Sequence, residues 1–155
     1  TLVDGDLTLT ESPAIVAYLA ERYSTPERRL IPEALDQRAL YFEWMSFISM
    51  ELDATSLYVL RRHEGLPEIY SPAPEACVAA RVYFERMITA ATVRLEDGRR
   101  YLLGDDFFGV DILMTTVLDW AVNYGFDLPD AFAAYRTRID EEPSTALAHR
   151  ANTPP

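Results

Sequence analysis

The sequence has no lysine, a single cysteine and no long apolar run. Its 14 basic residues, all arginine, stand against 25 acidic residues, which gives a formal net charge of -11 at pH 7. Nucleic acids and anionic lipid surfaces would repel such a chain. A membrane-spanning helix needs about 20 consecutive apolar residues. The composition therefore disfavours nucleic-acid and membrane partners, and because no basic, apolar leader opens the sequence, we expect a cytoplasmic protein.

The residues that usually carry covalent or metal chemistry are also scarce. Cys77 alone excludes an internal disulfide and a cysteine-rich zinc site, and its small neighbours indicate a packing role. His63 and His149 lack the spacing of metal ligands, so we expect no metal site. The sequence contains no serine-hydrolase elbow, no phosphate-binding glycine loop and no dinucleotide fingerprint.

The chain opens with a pattern that predicts a β-hairpin. Asp4-Gly5 separates two β-prone runs, and Asp-Gly is typical of two-residue hairpin turns in which both residues have φ > 0. Pairing Val3 with Asp6 puts three leucines on one face. These are Leu2, Leu7 and Leu9. An isolated two-stranded hairpin is marginal in water, and no strand is predicted downstream, so we expect that strand partners lie upstream.

Everything after the hairpin predicts helices. Ser12 is a good N-cap and Pro13 suits the first helical position, so a helix should run to about Tyr23. A proline-flanked linker covers 24–34, and a helix from 35 to about 62 has apolar residues on two faces. Further helices are predicted over 74–95, 109–124, 129–142 and 144–150, followed by a frayed tail. Their inward residues should include Val78, Val82, Ile112 and Trp120.

The start of the first helix has the chemistry of an amino-acid binding site. A helix N-terminus presents unpaired N–H groups and partial positive charge to a carboxylate, and the Ser12 hydroxyl adds a donor there. The adjacent Glu11 can pair with an ammonium group. The alternative is that Ser12 only caps the helix, a contribution of about 1 kcal/mol, and that Glu11 is solvated.

Two segments resemble the glutathione transferase family. Residues 2–19 contain Glu-Ser-Pro-Ala-Ile at 11–15 and resemble the end of the family's thioredoxin-like domain. Residues 104–112, Gly-Asp-Asp-Phe-Phe-Gly-Val-Asp-Ile, resemble the entry to the central helix of its all-helical domain. The resemblance covers essentially the whole chain. It implies a mainly α fold, in which a remnant of the thioredoxin-like α/β domain (1–23), a hairpin plus a helix, precedes a linker (24–34), the helical bundle (35–150) and a tail (151–155).

The resemblance also assigns residues. It implies that Glu11 and Ser12 bind the γ-glutamyl end of glutathione, which is the co-substrate, and that no other cofactor is needed. Tyr41, Trp44 and Met45 could line the pocket of a small hydrophobic electrophile, although core packing is the simpler interpretation for each of them. The family, together with the two apolar faces of the helix predicted over 35–62, further implies a homodimer that forms through this helix and the hairpin–helix fragment.

Asp111 is expected to act as a structural helix cap. Its carboxylate can accept a hydrogen bond from the backbone N–H of Phe108. Phe108 stands where the family usually has Ser or Thr, so the reciprocal half of this capping box is absent.

The family's thiol-activating Ser, Tyr or Cys precedes the region that this chain covers, and we assign no catalytic residue. The resemblance favours a transferase that conjugates the glutathione thiolate to an electrophile, with its N-terminal segment missing here. Two alternatives stay open: a non-catalytic dimerisation or interaction module, and a glutathione-dependent isomerase, dehalogenase or thiol reductase of the same fold.

Overall fold

The computed structural model describes residues 1–152 and is mainly helical. One small antiparallel sheet stands at its start, and a linker of bends and turns joins the first helix to the others. In chain order the elements are β1 (Leu2–Asp4), β2 (Leu7–Leu9), α1 (Ser12–Tyr23), α2 (Leu35–Phe47), the π-helical segment π1 (Ile48–Leu57), α3 (Tyr58–Leu60), a second π-helical segment π2 (Arg61–Gly65), α4 (Pro67–Tyr70), α5 (Pro74–Thr92) with a 3-10 turn at Val93–Leu95, α6 (Gly109–Asn123), α7 (Asp130–Asp140) and α8 (Pro143–Asn152).

The hairpin turn lies one residue later than the sequence predicts. β1 and β2 pair Leu2 with Leu9, so the turn residues are Gly5 and Asp6. Gly5 has φ +60, which suits the first position of a turn that requires glycine there. The predicted pairing of Val3 with Asp6 is wrong, because glycine takes the left-handed conformation at lower cost than aspartate. The pairing moves by two residues along the partner strand, and the leucines therefore keep their common face.

Segments α2, π1, α3 and π2 form one continuous helix over 35–65, here called the long helix. The sequence predicts it to about residue 62. One face is buried at the centre of the molecule and contains Tyr41, Trp44, Met45, Ile48 and Leu52. The opposite side is more open, since Tyr58 is 36% exposed and Met50 is 59% exposed.

The inward face of α5 differs from the prediction. Val78 and Val82 are 63% and 61% exposed and share one helical stripe four residues apart. The side chains that α5 buries are Cys77, Ala80, Phe84, Ile88 and Ala91. Small residues let α5 approach the π1 segment closely, and Phe84 fills the space beyond them against Phe126, with ring centroids 4.5 Å apart.

The buried face of α6 also differs in part from the prediction. Ile112 is 47% exposed, while Leu113 and Val117 are buried. α1 packs on this helix at Gly109, where an added Cβ would lie 2.8 Å from the Tyr41 hydroxyl oxygen and 2.9 Å from Val16 Cγ1. The glycine therefore permits close approach of two helices.

The last two helices complete the bundle. The predicted tail begins at 151, but α8 continues to Asn152, and the remainder of the tail lies outside the described residues. Over residues 1–152, every helix is too short or too polar to cross a bilayer. The division into domains at 1–23, 24–34 and 35–150 stays a prediction.

Candidate functional site

The junction between β2 and α1 is strained at a charged residue. Glu11 precedes the first helical residue and has φ 63 and ψ 114, a region that L-residues rarely adopt. Its carbonyl accepts a hydrogen bond from the Ile15 N–H at 3.0 Å. Residues held in such conformations cost on the order of 1–3 kcal/mol and cluster at binding sites. This outlier motivates a functional assignment.

Ser12 is the first residue of α1 and does not cap it. Glu11 occupies the N-cap position without a side-chain cap hydrogen bond. The prediction of Ser12 as N-cap is therefore wrong, because the strained backbone of Glu11 starts the helix one residue earlier. Within the part of the chain described, the Ser12 hydroxyl makes no hydrogen bond, and its residue lines a cavity. The hydroxyl is available to a ligand.

That cavity has a volume of about 550 Å³ and lies between the start of α1, the π1 segment and α6. We call it the α1–π1–α6 cavity. Its floor and one wall are apolar, with contributions from Leu113, Val117 and Trp120 of α6 and Ile48 of the long helix. Such a size and lining are typical of small-molecule sites.

The π-helical geometry of the long helix shapes the cavity wall. The hydroxyl of Thr55 donates to the carbonyl of Met50 at 2.6 Å, and that of Ser56 donates to the carbonyl of Glu51 at 2.8 Å, both five residues back. In an α-helix these bonds would reach three or four residues back. Ser49 and Asp53 line the cavity from the same segment. π-helical turns are frequent at functional sites.

Asp53 is the unusual charge in this wall. Its Oδ1 atom is buried and has no hydrogen-bond partner among the described residues. Burial raises the pKa of the Asp53 carboxyl, and the nearby Arg61 guanidinium opposes that shift. Arg61 is not an ion-pair partner but lies over the Trp120 ring, 5.4 Å from its centroid. The carboxylate therefore stands in the wall without a full complement of donors.

The predicted electrophile residues lie elsewhere. Tyr41, Trp44 and Met45 are 0%, 0% and 4% exposed and belong to the core, outside the cavity lining. The Arg94 guanidinium covers the Trp44 ring at 3.9 Å from its centroid. Their side chains face the other helices, so the structure supports core packing for them. The aromatic wall of the cavity comes instead from Tyr58 and Trp120.

Sequence reasoning assigned no site role to Asp53, Ser49 or Trp120, although it predicted that Trp120 faces inward. Asp53 follows Ser49 by four residues, so both lie on one helical stripe. The sequence did offer one signal for Asp53: no arginine stands three or four positions from it, so the helix provides no ion-pair partner for this acid. The junction residues Glu11 and Ser12 are brought to the same cavity as these three.

Asp111 organises the start of α6 from a fully buried position. Its Oδ2 accepts the Phe108 N–H at 2.9 Å, and its Oδ1 accepts the Leu102 N–H at 3.0 Å and the Tyr135 hydroxyl at 2.7 Å. In return, the Asp111 N–H donates to the Phe108 carbonyl at 3.0 Å, which replaces the absent cap hydroxyl. Burial raises the Asp111 pKa to about 6, against the hydrogen bonds that lower it. The side chain is ionised at neutral pH.

Reactive thiol and metal chemistry find no support in residues 1–152. Burial raises the pKa of the Cys77 thiol, with Glu64 adding to the shift, which is the opposite of an activated thiolate. The His63 Nδ1–H donates to the Ser71 carbonyl oxygen at 2.7 Å. Across the same residues, no three histidine, cysteine or acidic side chains gather as a metal site.

Comparison with known proteins gives a consistent result. No protein-family model matches the chain. Glutathione S-transferase Z1 of Arabidopsis thaliana is 27% identical over 153 residues, which cover 95% of this chain and 59% of that protein. The bacterial GST BphK, solved as a ternary complex, superposes with a TM-score of 0.81 at 27% identity over 97% of this chain and 72% of the other. In sequence and in fold the chain is similar to glutathione transferases.

A sphingomonad glutathione S-transferase, solved in complex with glutathione, has a TM-score of 0.73 and 28% identity, with coverage of 96% of this chain and 70% of that one. These likenesses confirm the expected fold, a family-type helical bundle preceded by a hairpin and helix of a thioredoxin-like domain. The chain spans 59% and 60% of the lengths of the Arabidopsis protein and of human glutathione S-transferase theta-1.

Proposed function

We propose that the α1–π1–α6 cavity binds glutathione and an electrophile, and that the protein transfers the glutathione thiolate to that electrophile. The observation that carries the proposal is the strained Glu11 beside an unused Ser12 hydroxyl at the start of α1. A carboxylate placed at this helix start meets N–H groups, the helix dipole and the hydroxyl together. The Glu11 carboxylate then faces the ammonium of the same amino-acid group.

The relatives support this assignment at family level. The sphingomonad protein binds glutathione in its solved complex. Glu11 and Ser12 line the α1–π1–α6 cavity, and this Glu-Ser pair resembles the family's γ-glutamyl site. The second substrate would lie against the apolar wall of α6, where Leu113 and Trp120 provide contact area. No residue of this chain is proposed as the thiol-activating group.

Glutathione titration of the full gene product, by calorimetry, tests the proposal. Ser12→Ala should weaken glutathione binding about tenfold or more, because a hydrogen bond to a charged group contributes roughly 1.5–3 kcal/mol. Since the hydroxyl caps nothing, the melting temperature should stay unchanged. Glu27→Gln, an exposed acid of the linker, is the matched control and should leave both quantities unaltered.

The opposite pattern would support the purely structural interpretation. A Ser12→Ala protein that melts at lower temperature but keeps its glutathione affinity would show that Ser12 serves the helix alone. Absence of measurable glutathione binding in the wild-type gene product would refute the transferase proposal and leave the interaction-module alternative.

We further propose a homodimer. Val78 and Val82 form an exposed apolar stripe on α5. Apolar side chains clustered on one surface are typical of association sites.

A further inference from the structure

The charged residues that line the α1–π1–α6 cavity are all acidic. Glu11 enters from the α1 junction and Asp53 from the long helix, while the described lining residues include no arginine, lysine or histidine. The Arg61 guanidinium acts electrostatically on Asp53, but it lies over the Trp120 ring and lines a neighbouring pocket. A ligand in the cavity therefore meets two carboxylates and no basic side chain.

The two carboxylates belong to different walls. Glu11 is beside Ser12 at the helix start, where the proposed function places the amino-acid end of glutathione. Asp53 stands on the π1 segment together with Ala54, one turn before Tyr58, and this wall continues to Trp120 of α6. Asp53 is thus the charged group of the aromatic and apolar half of the cavity.

The Asp53 carboxylate also has unmet hydrogen-bonding capacity. Its buried Oδ1 has no hydrogen-bond partner in residues 1–152, and Arg61 acts on the carboxylate electrostatically without a hydrogen bond to that atom. A carboxylate held in an apolar wall is stabilised by a charged N–H donor and destabilised by a second anion. The same wall would accept the apolar body of such a ligand.

We infer that the second substrate is an apolar electrophile bearing a cationic N–H group, and that Asp53 selects it. This inference rests on the proposed glutathione site and adds the chemical class of the other substrate. Glutathione itself supplies the thiolate, and Asp53 takes part in no bond change. It is a specificity-determining residue that attracts an ammonium and repels a carboxylate.

Three S-benzyl conjugates of glutathione test the inference by calorimetry on the full gene product, without any need for turnover. They carry a 4-aminomethyl, a 4-methyl or a 4-carboxy group on the ring. The wild-type protein should bind the ammonium conjugate more tightly than the carboxylate conjugate by on the order of tenfold or more, since opposite charges a few ångströms apart attract strongly in a partly desolvated site. Asp53→Asn should remove most of this preference and leave the affinity for the 4-methyl conjugate and for free glutathione unchanged.

Glu51→Gln is the matched control. Glu51 stands on the same π1 segment, accepts a hydrogen bond from the Tyr83 hydroxyl and does not line the cavity. Its glutamine variant removes the same charge but retains an acceptor for Tyr83, and it should keep the wild-type preference. A preference that is equal in Asp53→Asn and wild type would overturn the inference.

Two further outcomes separate this inference from the proposed function. If Asp53→Asn weakens free glutathione as much as the ammonium conjugate, Asp53 belongs to the γ-glutamyl site, and the inference is wrong while the proposed function stands. If the wild-type protein binds neither glutathione nor any conjugate, the proposed function fails and the inference with it.

Discussion

Asp111 and Asp53 show how the position of a carboxyl group changes its role. Both carboxyl oxygens of Asp111 accept hydrogen bonds from donors in three parts of the chain, so this side chain ties those parts together. Asp53 has an oxygen with no partner in the described residues and borders a cavity. A saturated carboxylate indicates a structural role, and an unsaturated one at a cavity indicates recognition.

The raised pKa of Asp111 predicts a distinctive pH dependence of stability. Its folded pKa of about 6 lies above the usual value of an unfolded aspartate, so the native state binds the proton more tightly between those values. The contribution of this group to stability should therefore fall by roughly 3 kcal/mol as pH rises from about 4 to about 6. Urea unfolding at several pH values should show this fall in wild type relative to Asp111→Asn.

Asp106→Asn is the control, because Asp106 is an exposed acid beside the same helix start. Its variant should follow the wild-type pH profile. Asp111→Asn should also be less stable at every pH, since an amide presents a donor to the Phe108 N–H. A stability difference between wild type and Asp111→Asn that rises with pH would contradict the assignment.

At the scale of elements, close helix approach depends on one glycine. A methyl group added at Gly109 would lie under 3.0 Å from both the Tyr41 hydroxyl oxygen and Val16 Cγ1, so both side chains would have to move. We expect Gly109→Ala to lower the free energy of unfolding by about 1–3 kcal/mol, the usual range for overpacking. Chemical denaturation measures this directly.

Gly65→Ala provides the comparison. A Cβ at this helical position meets only the Tyr124 hydroxyl oxygen at 3.3 Å, and alanine favours helices more than glycine does. The variant should be as stable as wild type or slightly more stable. Equal stability of the two alanine variants would show that α1 and α6 can separate without penalty.

The sequence predicts the elements better than it predicts their faces. Helix α6 begins at Gly109 as expected, because the motif that spans its start contains the capping aspartate, Asp111. The predicted inward faces of α5 and α6 are wrong at Val78 and Ile112, which are exposed, because hydrophobicity alone does not show which side of a helix meets a neighbour. The π-helical geometry of π1 has no simple sequence signal, and so the cavity wall that includes Asp53 was not foreseen.

At the scale of the whole molecule, the net charge of -11 opposes self-association. A dimer must overcome this repulsion through apolar contact, and added salt should strengthen it by screening. The exposed stripe on α5 is the region we assign to that contact.

Val82→Asp should convert the proposed dimer into a monomer, because it puts a charge in the centre of the stripe. Light scattering after size-exclusion chromatography would report the change in mass. Leu147→Asp is the control on α8, where the leucine is 60% exposed, and it should keep the wild-type mass. A dimer that persists in Val82→Asp would place the contact on another surface.

The amide of Gly109 donates to the carbonyl of Leu30 at 2.8 Å, and this bond ties the linker to the start of α6. Residues that are distant in the chain must meet before that helix start is complete. The hairpin with its first helix and the bundle are consequently expected to unfold in one cooperative transition, and a protease that cuts the linker would weaken both parts at once.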